Sequence, residues 1–193
     1  IIAMSEYKGI KGFQVQTRTE DPTPYAQALA DNPYAGSWGS GGSLNTARYA
    51  ATGMGTLTDA LVAGGINTAN VANVENYNGT SWTEVNDINS ARREFASGGT
   101  DTASVVFGGV TTTAVANTES WNGSSWTEVN DLNTARYQLG GCGLQTAALA
   151  YAGVPAPPSK NETESWNGSS WTEVNNVNTA RGFGGSLGIY TAA

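Results

Sequence analysis

The chain has 193 residues and a formal charge of -7, with only nine Lys and Arg, no His and a single Cys. That balance excludes a phosphate-binding surface for nucleic acid or an anionic membrane, because such binding draws its affinity from clustered basic residues, and Cys142 has no partner for an intrachain disulfide. Charged residues make up 13% and hydrophobic ones 39%, with 25 Gly, which favours an all-β chain of short strands and tight turns over disorder.

Residues 1–35 form an arm of distinct composition. The start, Ile1-Ile-Ala-Met-Ser-Glu-Tyr7, has neither the organisation of a signal peptide nor the length of a membrane span. Met4 could be the initiator, and either terminus is expected to be a cut edge. Ile10-Lys-Gly-Phe-Gln-Val-Gln-Thr-Arg18 alternates as one strand does, and Glu20-Asp-Pro-Thr-Pro24 breaks it. Tyr25 to Asn32 reads as a short helix or a loop. The arm is too small to fold alone, so Tyr7, Ile10, Phe13 and Val15 are expected to attach it to a partner.

From residue 36 to residue 193 the chain repeats, with units at about 38–81, 82–125 and 126–170 and a partial one at 171–193. Residues 118–136 recur at 163–181 with two changes, Asp131 to Asn176 and Leu132 to Val177. Trp38, Trp82, Trp126 and Trp171 are spaced 44, 44 and 45 residues apart, and Arg48, Arg92, Arg136 and Arg181 follow each of them by ten.

Four strands fit each period. The first follows the arginine, as in Tyr137 to Gly143, and holds Cys142 as a small apolar filler. The second is apolar and ends in glycine, as in residues 60–65, 104–109 and 149–153. A variable loop leads to the third, Asn117 to Trp121, and the fourth starts at Trp126-Thr-Glu-Val. Asn78-Gly79, Asn122-Gly123 and Asn167-Gly168 join the third strand to the fourth, and Asn-Gly predicts a type I′ hairpin turn with positive φ at both residues. One unit of this size cannot bury both faces, so neighbouring units must stack.

A Gly-Gly doublet, then an aromatic, a Trp five residues on, and Ala-Arg after a polar turn resembles the kelch repeat. Gly64-Gly65 and Gly108-Gly109 are the doublets, and Tyr77 with Trp82, Trp121 with Trp126 and Trp166 with Trp171 are the aromatic pairs. The third unit departs from the pattern at Gly153-Val154, followed by the insertion Pro155-Ala-Pro-Pro158. The resemblance implies an all-β fold of kelch-like β-propeller blades, with three complete four-stranded repeats and a partial one behind an extended arm. Three and a fraction units do not close, so the arc is expected to be incomplete or completed by partners.

The arm's Tyr7-Lys-Gly-Ile-Lys-Gly-Phe-Gln-Val-Gln16 with repeated Glu-Ser-Trp-Asn-Gly-Ser-Ser-Trp segments is similar to virion proteins of marine tailed bacteriophages. That resemblance implies a tail-fibre or head-decoration protein located in the virion. Its expected partners are other virion proteins or copies of itself, as a homo-oligomer, with a host-surface glycan as a further contact. A cellular kelch protein-interaction module is the alternative.

Catalysis is not expected. Without His the commonest general base and metal ligand is missing, and no copper site of the kind that galactose-oxidase-like enzymes carry can be assembled. Gly123-Ser-Ser-Trp126 resembles the end of a sialidase Asp-box, but Trp121 stands where its Asp belongs. Glu84, Glu128, Glu173, Asp87 and Asp131 could offer oxygen ligands to calcium, but they lack the dense spacing of a binding loop and read as solvated turns. No cofactor or metal is expected. Four Asn-x-Ser/Thr sites, at Asn78, Asn122, Asn161 and Asn167, are read mainly as turn chemistry rather than glycosylation.

Glu75, Glu119 and Glu164 repeat with the arginines and invite buried ion pairs between strands or adjacent blades. The tryptophans are expected to be core, with the first of each pair nearer a wet boundary. A glycan surface, if present, would lie on the variable loops at 67–73, 111–116 and 154–161.

Overall fold

A computed structural model describes residues 41–155 and 158–184. Chain contacts divide the protein into residues 1–40 and 41–193, and all the described residues belong to the second unit. Tyr7, Ile10, Phe13, Val15 and Trp38 therefore lie outside the described residues.

Among the described residues there are twelve strands and no helix. They form three antiparallel sheets, each with its strands in chain order. The first holds β1 (Thr52–Gly55), β2 (Ala60–Ala63), β3 (Val74–Tyr77) and β4 (Trp82–Val85). The second holds β5 (Ala96–Gly99), β6 (Ser104–Phe107), β7 (Thr118–Trp121) and β8 (Trp126–Val129). The third holds β9 (Gly140–Leu144), β10 (Ala147–Tyr151), β11 (Thr163–Trp166) and β12 (Trp171–Val174). Counted from Trp to Trp, the sequence period runs from the fourth strand of one sheet to that of the next.

Two apolar clusters hold the sheets together, and both lie between sheets. One joins Met54, Leu61, Ala63 and Val74 of the first sheet to Val106, Trp121 and Trp126 of the second. The other joins Val105 and Phe107 of the second to Ala148, Ala150, Trp166 and Trp171 of the third. Successive side chains of a strand point to opposite faces, so Val106 serves one cluster while its neighbours serve the other. Every residue of β6 is buried as a result.

The first strands of the sheets run close together. A Cβ at Gly141 of β9 would fall 2.6 Å from Phe107 Cζ and 2.7 Å from Ala96 Cβ, so only glycine admits this approach. The hydroxyls of Thr52 and Ser97, 2.8 Å apart, join β1 to β5. Cys142 sits in β9 opposite Leu149, and burial pushes its thiol above the usual range.

Three local expectations are corrected. The first strand of the third sheet starts at Gly140 rather than Tyr137, because the residues after Arg136, like those after Arg48 and Arg92, form an isolated bridge and a left-handed turn. Ala50, Glu94, Gln138 and Phe183, each two residues past its arginine, have φ of 54°, 58°, 54° and 57°. The second strands stop one residue before the doublets, where Gly64 and Gly108 turn to φ of 58° and 69°. In the third unit that conformation falls on Ala152, with φ 58°, so its doublet is Ala152-Gly153 and not Gly153-Val154.

The Asn-Gly turns also differ from type I′. Tyr77 pairs with Trp82, which leaves a four-residue connection, and only the glycines, at φ 87°, 92° and 92°, are left-handed. Each asparagine works through its side chain instead. Asn122 Oδ1 accepts the backbone N–H groups of Ser124 and Ser125, both at 2.9 Å, and Asn78 and Asn167 repeat the arrangement.

Candidate functional site

The buried charges of the described residues gather in one device, repeated three times. The segment leading into each sheet carries Asn-x-Ala-Arg, and each sheet offers a glutamate from the second position of its third strand. Arg48 Nη2 lies 3.0 Å from Glu75 Oε1, Arg92 Nη1 2.6 Å from Glu119 Oε1, and Arg136 Nη1 2.9 Å from Glu164 Oε1. Every one of these side chains is at most 1% exposed.

The glutamate's second oxygen is also taken. Asn45, Asn89 and Asn133 donate their backbone N–H to Oε2 of Glu75, Glu119 and Glu164, each at 2.7 Å. Their side-chain amides reach on to the carbonyls of Trp82, Trp126 and Trp171. These asparagines were missed as functional positions, although their constant spacing of three residues before the arginine was in plain view.

The same connector grips the sheet behind it. The second residue of each doublet donates its N–H to the arginine carbonyl, Gly65 to Arg92 at 2.9 Å and Gly109 to Arg136 at 2.8 Å. A Cβ on Gly108 would lie 2.7 Å from the Arg136 carbonyl oxygen. One arginine thus holds the preceding sheet by its backbone and the following sheet by its side chain.

Desolvation lowers the Arg136 pKa, opposed by the nearby charge of Glu164 and then of Glu162. Arg92 has the Phe95 ring 5.1 Å from its guanidinium carbon, a cation–π contact inside the clasp.

Arg181 breaks the series. Its backbone half is in place, since Gly153 donates its N–H to the Arg181 carbonyl at 2.8 Å. Its side chain is exposed, with Nε donating to the Thr179 carbonyl at 3.2 Å, and among the described residues no carboxylate pairs with it. Val177 is likewise only partly buried, where Ile88 and Leu132 are 2% and 4% exposed.

The aromatic pairs face each other across the third and fourth strands, with ring centroids 4.9 to 5.2 Å apart. Contrary to expectation, the first of each tryptophan pair is the drier. Trp121 and Trp166 are both 2% exposed, because their indole N–H groups turn inward to the carbonyls of Asp101 and Gln145, each at 2.8 Å. The second members bond across to the unit before them, Trp126 to the Asn86 carbonyl and Trp171 to the Thr118 hydroxyl, both at 3.1 Å.

The remaining repeated acids have neighbours of their own. Glu128 Oε1 accepts from the Asn117 amide at 2.7 Å, and Glu84 accepts from Asn73. Asp131 Oδ1 accepts the Thr118 N–H at 3.0 Å, and Asn176 Oδ1 accepts that of Thr163 at 3.1 Å. The position needs an acceptor oxygen and no charge, which explains why Asp and Asn exchange there. Among the described residues no cluster of acids, Cys or His has the makings of a metal site.

No family model and no curated protein matches this sequence.

Proposed function

We propose that the chain is a non-enzymatic kelch-like β-propeller segment that serves as a scaffold, its sheets acting as blades and its variable loops meeting the outside. One observation carries this reading. Among the described residues, every ion pair with both side chains fully buried belongs to the repeated clasp of a connector arginine onto the third strand of the sheet that follows it, so the charges that an enzyme would tune for chemistry are committed to holding the array together.

The free half-clasp at Arg181 supports a further part of the reading, in which another repeat unit stacks on the third sheet. A continuation of the same repeat, a copy of the chain or a different virion protein would each present the needed glutamate and apolar face. Measuring the mass of the chain in solution across concentration tests association of copies. Multiples of 20.0 kDa are expected if copies supply the unit.

The virion role, as a decoration or fibre component displayed towards a host surface, rests on the similarity of the arm and repeats to phage virion proteins. Peptides of this chain in purified particles would support it. Their absence from particles, with the chain abundant in the infected cell, would favour a cellular interaction module.

A further inference from the structure

Resting on the reading that the loops meet partners, we propose that a cavity of about 420 Å³ among the loops of the second and third sheets is a binding site for a neutral saccharide. Its size falls within the range of small-molecule sites, about 300–1,000 Å³. Arg93, Glu94, Thr112, Thr113, Tyr137 and Gln138 supply its polar wall, and Pro155 part of its apolar one. Thr112 and Thr113 come from the loop after β6 and Pro155 from the loop after β10.

The repeats differ from one another at this place. Residues 118–136 and 163–181 are almost the same, as stacking requires, but the two positions after the clasp arginine change from Arg93-Glu94 to Tyr137-Gln138. Freedom of this kind beside a rigid frame is where binding groups are carried.

Charge decides against an anion. Arg93 Nη1 donates to Asn70 Oδ1 at 2.7 Å, and its Nε lies 3.5 Å from Glu94 Oε1, so the wall's one cation is already balanced. A chain of net charge -7 also repels anionic ligands at long range. The remaining groups suit hydroxyls that donate and accept together. Among the described residues, the Gln138 amide, the Tyr137 hydroxyl and the hydroxyls of Thr112 and Thr113 have no hydrogen-bond partner. Each offers both a donor and an acceptor, and Tyr137 adds a ring against which the C–H face of a sugar can lie.

The wall is also held in advance. Glu94 N–H donates to the Ala50 carbonyl at 2.9 Å and Gln138 N–H to the Glu94 carbonyl at 2.8 Å. Left-handed backbone at both residues persists because this ladder over-determines it. Little ordering is then left for a ligand to impose.

An array of immobilised neutral, sialylated and sulfated oligosaccharides, probed with the full chain, tests the site. Neutral glycans are expected to be retained, with binding about tenfold weaker for Gln138→Gly and Tyr137→Ala and unchanged for Thr127→Ala at an exposed position of β8. Gln138→Gly keeps the proposal open to refutation, because glycine accepts the left-handed backbone and the variant should melt no lower than the parent. Retention of no neutral glycan, preference for acidic glycans, or full binding by Gln138→Gly would overturn it. Any of these outcomes alongside chain-derived peptides in purified particles would remove the saccharide site and leave the scaffold reading standing.

Discussion

Arg92 and Glu119, 27 residues apart in the chain, meet at 2.6 Å with side chains 0% and 1% exposed. The contact closes the connector between the first two sheets onto the third strand of the second. Taking both ions out of water is costly, and the pair's net worth over an apolar replacement is small. Its value lies in register, because a sheet slipped by one residue would leave two buried charges without partners.

Removing one partner should therefore be severe. Glu119→Ala is expected to lower the unfolding free energy by about 3–5 kcal/mol in urea titration. The double variant Arg92→Met with Glu119→Leu should recover part of that loss. Full recovery is not expected, since the Asn89 N–H loses the oxygen 2.7 Å away.

Ala152 should gain from becoming glycine. Its φ of 58° lies where the other two repeats have Gly64 and Gly108, and a Cβ there costs about 1–2 kcal/mol. Ala152→Gly is expected to raise the melting temperature by a few degrees, less the entropy that glycine returns to the unfolded chain. Gly108→Ala should do the reverse and more strongly, because the new Cβ meets the Arg136 carbonyl oxygen at 2.7 Å.

The turn at Asn122 separates two explanations of the Asn-Gly pair. A type I′ turn would depend on the left-handed tolerance of asparagine, whereas the observed turn depends on its side-chain oxygen. Asn122→Asp should leave stability within about 0.5 kcal/mol, and Asn122→Ala should cost about 1 kcal/mol by analogy with a lost helix cap. Equal losses in chemical denaturation would point back to the backbone.

Alkaline pH should weaken the fold through Cys142. Burial raises its folded pKa above the ordinary 9.0, so the folded state keeps its proton where the unfolded state has lost it. That contribution is fully present below pH 9.0 and is lost as pH rises through the folded value. Tyr151, pushed up by burial and then by the nearby Cys142, adds to the same decline. Cys142→Ser should show a shallower fall in melting temperature above pH 9.0, and an identical fall would rule out the thiol.

What was legible in the sequence was what repeats. The spacing of Arg and Glu pointed to ion pairs because two opposite charges recurring in step with a short-stranded repeat have few other ways to be buried. The pairing of the third strand with the fourth followed from the Asn-Gly hairpin signals. The turn type was not legible, since Asn-Gly serves both a left-handed asparagine and an asparagine that caps the turn with its side chain. Nor was the dryness of Trp121, because the tyrosine at the equivalent position suggested water where an indole N–H had found a carbonyl. The doublet of the third unit was misplaced by one residue, as an alanine held in a glycine's conformation leaves no mark in the composition.

The stacking of units by the clasp is tested most directly by Arg181→Ala in two settings. One is the chain as it stands. The other is the chain in which residue 184 is followed by a further copy of residues 140–184, which keeps the spacing from arginine to first strand and places a third strand with its glutamate in reach. In the first setting Arg181 is exposed, and its loss should change the unfolding free energy by no more than about 0.5 kcal/mol. In the second, the same substitution should cost about 3–5 kcal/mol, matching Arg136→Ala. If Arg181→Ala is as silent in the extended chain as in the original, the arginine is not a clasp waiting for its sheet.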